Sequence, residues 1–141
     1  MPRLCSQVWI APATYEEVVT HGQGLPGAAE LARAAQDWVI TEDPSPQSRA
    51  EFGAVQNLND RDVLALAFQV RPDYLVTEDA GMRQLATSRN LAVLTVPELL
   101  LVAKQAGYLP AVKPVLDRMR ARDHGIPQVS YDETLRMAGE T

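Results

Sequence analysis

Three carboxylates in this 141-residue sequence stand out for where they fall. Asp62 heads an apolar run of helical spacing, and Glu78 and Asp79 close a short apolar run of strand length. Carboxylates brought together repel strongly at low effective dielectric unless a cation lies between them. Acids repeated at two adjacent positions of one rim therefore point to a hard divalent ion, Mg²⁺ or Mn²⁺, held by oxygen ligands.

The elements that must position these acids can be read from the same stretch, NDRDVLALAFQVRPDYLVTEDAGMRQLA, residues 59–86. From Asp62, the apolar residues Val63, Leu64, Leu66, Ala67, Phe68 and Val70 cover a broad arc at about 100° per residue, which predicts a largely buried helix. Asp62 sits at the edge of that arc, one turn before Leu66. The plainer reading is that Asn59 or Asp60, with Asp60 favoured, caps the helix and Asp62 complements its dipole. Asp73 to Thr77 is a short strand after Pro72, and Ala80 to Ser88 is a helix, so Glu78 and Asp79 lie in a tight strand-to-helix turn. Asp79 also fits an ordinary N-cap. In a parallel α/β sheet, strand C-termini and helix N-termini share one rim, so Asp62 is expected to approach Glu78 and Asp79.

Composition bounds the rest. The length suits a single domain, 1–141, with a real core. A hydrophobic fraction of 46% and a charged fraction of 22% are those of an ordinary soluble protein. No apolar run has transmembrane length and MPRLCSQVWI lacks the apolar stretch of a signal peptide, so a cytoplasmic location and no membrane partner are expected. Cys5 is the lone cysteine, and with His21 and His124 it offers no zinc-site spacing; a buried thiol and surface or capping histidines are expected. The net charge of −5 is uneven. Residues 1–98 carry 7 Lys/Arg and 13 Asp/Glu, giving −6, and residues 99–141 carry 6 and 5, giving +1. A general nucleic-acid binder would be basic. An enzyme that holds metal with carboxylates need not be.

In chain order, Gln7 to Ile10 reads as a strand and Ala13 to Thr20 as a helix with Pro12 near its first position. Glu16 and Glu17 fall in that helix. The turn-rich 21–27 precedes an alanine-rich helix from about Ala28 to Gln36, and Trp38 to Thr41 is the next strand. EDPSPQSRAEFG reads as a loop that also admits a short helix. Beyond the central stretch, Leu91 to Val96 has strand length. Thr95 and Glu98 form a capping box around Pro97 for a helix from Glu98 to Ala106, which Gly107 ends. Pro110 to Arg122 reads as a helix with a solvated basic face, Gly125 to Pro127 as a break, and Ser130 opens a last helix reaching Gly139. Strands alternate with helices over the first hundred residues, which argues for a parallel α/β sheet flanked by helices, with a helical tail.

Four stretches resemble a PIN-like domain, of the predicted nucleic-acid-binding branch related to VapC-type toxins. They are VWIAPATYEEVV (8–19), DRDVLALA (60–67), DYLVTEDAGMRQLA (73–86) and LAVLTVPELLLVAKQAGYLPAVKPVLDRMRARDHGIPQVSYDETL (91–135). The last is the most specific, because Lys-x-x-Gly-x-Leu followed by Val-Lys-Pro-x-Leu-Asp matches that branch's tail. The resemblance implies a three-layer PIN-like α/β fold. It also implies a nuclease acting on RNA through acids around Mg²⁺ or Mn²⁺, including the toxin half of a toxin–antitoxin pair. The family's helix acid falls on Glu17, with Glu16 the neighbouring candidate. Its next acid falls on Asp62, with Asp60 nearby, and its strand-end acid on Asp79 or Glu78.

In this family an Asp-ended first strand precedes the segment corresponding to Leu4-Cys-Ser-Gln-Val-Trp-Ile, so the chain reads as N-terminally truncated. An in-frame extension of about 15–20 codons upstream of Met1 is expected to encode that strand. Without it, Val8–Ile10 is expected to pair directly with Tyr74–Thr77, or a second copy to cover an open edge in a homo-oligomer. The alternative to a nuclease is a non-catalytic PIN-like module that binds RNA or a partner protein such as an antitoxin.

Overall fold

Hydrogen bonding, read in a computed structural model that describes Cys5 and residues 7–24, 28–121 and 126–141, begins with two short parallel strands. β1 (Val8–Ile10) and β2 (Val39–Thr41) pair in the register Val8↔Val39, Trp9↔Ile40 and Ile10↔Thr41. β3 (Leu75–Val76) lies against β4 (Val93–Leu94), with Leu75 N donating to Ala92 O at 2.9 Å and Thr77 N to Leu94 O at 3.0 Å. Donors and acceptors advance together along both chains, which is the pattern of a parallel pair. The expected strands are present, shorter than their apolar runs. The first of the two expected arrangements, direct pairing of Val8–Ile10 with Tyr74–Thr77, is not found: among the described residues β1 takes β2 as its partner, β3 takes β4, and no ladder joins β1 to β3.

One compact unit comprises Cys5–Leu75 and Asp79–Ala92. β1 leads through Ala11, fully buried, into α1 (Pro12–Tyr15), which continues as a π-helical turn over Glu16–Thr20. The expected single α-helix is thus replaced after Tyr15 by a wider coil, in which His21 N reaches back five residues to Glu16 O at 2.8 Å. The β-branched run Val18-Val19-Thr20 supports α-helix poorly. Gly22 closes the turn so tightly that a Cβ there would lie 2.3 Å from Val18 O. α2 (Ala28–Ala34) leads to β2, and α3 (Pro46–Ala50) is the short helix of the expected loop, capped by Ser45 Oγ on Ser48 N with Pro46 in the first turn.

α4 (Leu58–Val70) is the centre of this unit. Leu64, Ala65, Leu66 and Ala67 are consecutive and all buried, which a helix shows only when packed on several sides. Its cap is Asn57, whose Oδ1 accepts from Asp60 N at 3.1 Å, and not the expected Asp60 or Asn59; Asp60 lies in the first turn. It ends at Arg71 in the left-handed region, φ 51, a conformation that costs a non-glycine residue about 1–2 kcal/mol. The Arg71 side chain is anchored there: its guanidinium lies 4.6 Å from the Phe68 ring centroid and Nη1 donates to Arg89 O at 2.9 Å. α5 (Ala80–Ser88) has the expected bounds and buries Met82 and Ala86.

The other unit comprises Val76–Glu78 and Val93–Thr141 among its described parts. α6 (Val96–Gln105) carries the expected Thr95/Glu98 capping box, complete in both directions, and begins two residues before Glu98. Gly107, at φ 85, follows its end. α7 (Lys113–Ala121) starts three residues after Pro110, and α8 (Gln128–Ala138) starts at Gln128 and not at Ser130, whose carbonyl instead accepts from Thr134 Oγ1. Leu101, Val112, Leu116, Tyr131 and Leu135 form the core here. Cys5 is exposed, contrary to the buried thiol expected, and His21 is exposed at the end of the π turn. His124, Arg122, Gly125 and residues 25–27 of the expected break lie outside the described residues.

Candidate functional site

The geometry around Asp62 begins with α3. Ser45 N donates to Gln69 Oε1 of α4 at 2.8 Å, and Gln69 Nε2 donates to Glu42 Oε2 at 3.2 Å, so the end of β2 and the start of α3 are tied to the second half of α4. From α3, Arg49 reaches the first half. Its Nε donates to Asp62 Oδ1 at 3.1 Å and its Nη2 pairs with Asp43. Arg61 adds two more bonds to the same Asp62 oxygen, from Nε at 3.1 Å and Nη2 at 3.0 Å. Four side chains thus form a line, Asp43–Arg49–Asp62–Arg61. Asp62 is its most buried member, with a side chain 15% exposed against 27% for each arginine.

This environment sets the charge of Asp62. Burial works against ionisation, but the hydrogen bonds and charges of Arg49 and Arg61 outweigh it and hold the carboxyl below its ordinary range. Arg49 is correspondingly held charged, by its bond to Asp62 first and by Asp43 as well.

The other sequence-predicted acids are committed differently. Glu17 is exposed in the π turn, beside Glu16. Asp79 is the N-cap of α5, its Oδ1 accepting from Met82 N at 2.8 Å. Glu78 turns to another helix, its Oε1 accepting from Val96 N at 2.5 Å at the start of α6. The adjacent pair therefore serves two helix N-termini, which carboxylates favour on both hydrogen-bonding and dipole grounds. Among the described residues no three His, Cys, Asp or Glu side chains gather into a group that could hold a metal ion. The acids as arranged do not fit a bound Mg²⁺ or Mn²⁺, because guanidinium N–H groups fill the Asp62 oxygen and backbone N–H groups occupy those of Glu78 and Asp79.

Sequence reasoning missed Arg49 and Asp43. Arg49 stands thirteen residues from Asp62, with no periodicity linking the two, so no local pattern marks it. Arg61 is adjacent to Asp62 in the run DRD, and neighbours one position apart on a helix do not face each other, so the sequence gives no signal of their bond.

Short parallel strands alternating with helices make this a mixed α/β fold. A family model described as a PIN domain, DUF3368, matches residues 1–140, and the chain belongs to that family. No curated protein and no solved structure matches it. The family carries a nuclease-like fold, generally depends on divalent metal and generally binds nucleic acid. Among the described residues no helix is long and apolar enough to cross a membrane.

Proposed function

We propose that this chain is a PIN-type, divalent-metal-dependent ribonuclease whose principal acid is Asp62. The observation that carries this reading is a partly buried carboxylate, held below the ordinary aspartate range by two guanidiniums, on the central helix of a PIN-family chain. Glu17, Asp79 and Glu78 are the further acids proposed to act with it, and Mg²⁺ or Mn²⁺ is the proposed cofactor. The proposal extends to RNA as substrate, a cytoplasmic site of action, an antitoxin protein as partner and self-association into a homo-oligomer. The experiment is cleavage of RNA in the presence of Mn²⁺ by the chain, by Asp62→Asn and by Asp79→Asn. Cleavage by the parent with loss in Asp62→Asn supports the reading; equal cleavage by all three sinks it.

A second reading, a non-catalytic module that binds RNA or a partner protein, is favoured by the same site seen from its partners. Asp62 is neutralised by two arginines, and Glu78 and Asp79 each cap a helix. Retained RNA binding with no Mn²⁺-dependent cleavage selects this reading.

A further inference from the structure

We propose that Arg71, Arg89 and Tyr74 form a contact surface for single-stranded RNA away from the acids, the arginines meeting backbone phosphates and the tyrosine stacking on a base. The inference rests on RNA as the ligand in the readings above and adds where this chain holds it.

The surface lies where α4 and α5 end. Arg71 closes α4, Arg89 closes α5, and Arg71 Nη1 donates to Arg89 O at 2.9 Å, so the two helix ends are fastened together. Under them sits the pair of Phe52 and Phe68, with the Arg89 guanidinium 5.4 Å from the first ring centroid and that of Arg71 4.6 Å from the second. Guanidiniums stacked on rings are already ordered, and they lose little further freedom when a ligand arrives. Asp62 stands nine residues before Arg71, about 14 Å along the axis of α4, so this surface does not overlap the acid.

Positive charge is in excess here. Arg71 is exposed, no carboxylate of a described residue pairs with it, and its one side-chain hydrogen bond leaves most of its five N–H donors available. Arg89 meets Glu51 Oε2 only at 3.6 Å, with side chains 37% and 44% exposed, a loose surface pair of little energy that a phosphate can replace. Asp73 is exposed and pairs with neither arginine. Complementing two helix C-termini accounts for the sign of these residues. It does not account for Tyr74, 53% exposed and three residues beyond Arg71, within about 11 Å of chain. An exposed aromatic beside unpaired guanidiniums is the combination that holds bases and phosphates of a single strand. An acidic peptide would engage the arginines and leave the tyrosine without a role. Arg71 also holds φ 51, where glycine is the usual residue, so its side chain is kept against a backbone cost.

The test is fluorescence anisotropy of a labelled oligouridylate on the full chain in EDTA, so that binding is read without cleavage, over a series of salt concentrations. Arg71→Gly suits the left-handed backbone. It is expected to weaken binding about fivefold and to lower the slope of log affinity against log salt by about 0.7, the share of one phosphate contact on a single strand. Arg71→Lys keeps the charge and should restore the slope, and Arg89→Gln should act in the same direction as Arg71→Gly. Tyr74→Ser is expected to weaken binding about fivefold or more with the slope unchanged, as loss of stacking requires. Where Arg71→Gly fails to fold by circular dichroism, Arg89→Gln and Tyr74→Ser carry the test. RNA binding by the parent that none of these substitutions alters overturns the surface and leaves the ribonuclease reading, which Mn²⁺-dependent cleavage tests separately, standing. A parent that binds no oligouridylate also overturns it, and binding of polyglutamate that Arg71→Gly abolishes would then assign the arginines to an acidic protein partner.

Discussion

Arg49 Nε donates to Asp62 Oδ1 at 3.1 Å, joining the last turn of α3 to the first half of α4. The pair fixes the state of the acid on which the functional reading depends. A depressed carboxyl contributes stability that is fully present above its unfolded value of about 3.8 and is lost as pH falls through its folded value. Asp62 is therefore expected to titrate below the ordinary aspartate range when followed by carboxyl-carbon NMR, and to move upward in Arg49→Gln. An Asp62 titration unchanged by that substitution would show that the bond does not persist in solution.

Asp79 separates two roles that its position superposes. As N-cap of α5 it accepts from Met82 N at 2.8 Å, and Asp79→Ala should cost about 1 kcal/mol in urea unfolding. Asp79→Ser keeps a capping oxygen and removes the carboxylate. It is expected to recover most of that stability while leaving any Mn²⁺-dependent cleavage lost; full cleavage by Asp79→Ser would make Asp79 a cap only.

Glu140 latches the end of the chain to the start of α7. Its Oε2 accepts from Val112 N at 2.8 Å and its Oε1 from Lys113 N at 3.0 Å, while Lys104 Nζ donates to Oε2 at 2.9 Å. These bonds, the two from the backbone first, pull its carboxyl down to about 2 from 4.5. The stabilisation is complete above pH 4.5 and disappears as pH falls from there to about 2. Glu140→Gln should lower the melting temperature at neutral pH by roughly 3 °C and flatten its decline over that acid window. Parallel declines in parent and variant would contradict the latch.

Phe52 and Phe68 meet edge to face at a centroid distance of 6.0 Å, with Arg89 over the first ring at 5.4 Å and Arg71 over the second at 4.6 Å. Phe52 is 2% exposed, so Phe52→Ala is expected to destabilise by about 3–5 kcal/mol in chemical unfolding, and Phe52→Leu by clearly less. A small loss for Phe52→Ala would mean that this corner is not packed as described.

The sequence carried what depends on neighbours along the chain. The bounds of α5 and the Thr95/Glu98 box follow from cap and period alone, and both are found as expected. The parallel character of the strands followed from their alternation with helices. What stayed hidden depends on residues far apart: the choice of β2 by β1, the reach of Arg49 to Asp62 and the turn of Glu78 to Val96 N. The cap of α4 was misplaced for a different reason. Asn57, Asn59 and Asp60 are all good caps, and only the backbone at Asn57, extended at ψ 116, decides among them.

Crystals of the protein soaked in Mn²⁺ test the proposed role of Asp62 most directly, through anomalous scattering. If Asp62 is a metal ligand, an anomalous peak is expected at coordination distance from its carboxylate, with the Arg49 guanidinium turned away from Oδ1. An Asp62 still bonded to both arginines, with Mn²⁺ bound elsewhere and RNA cleavage dependent on that other site, would contradict it.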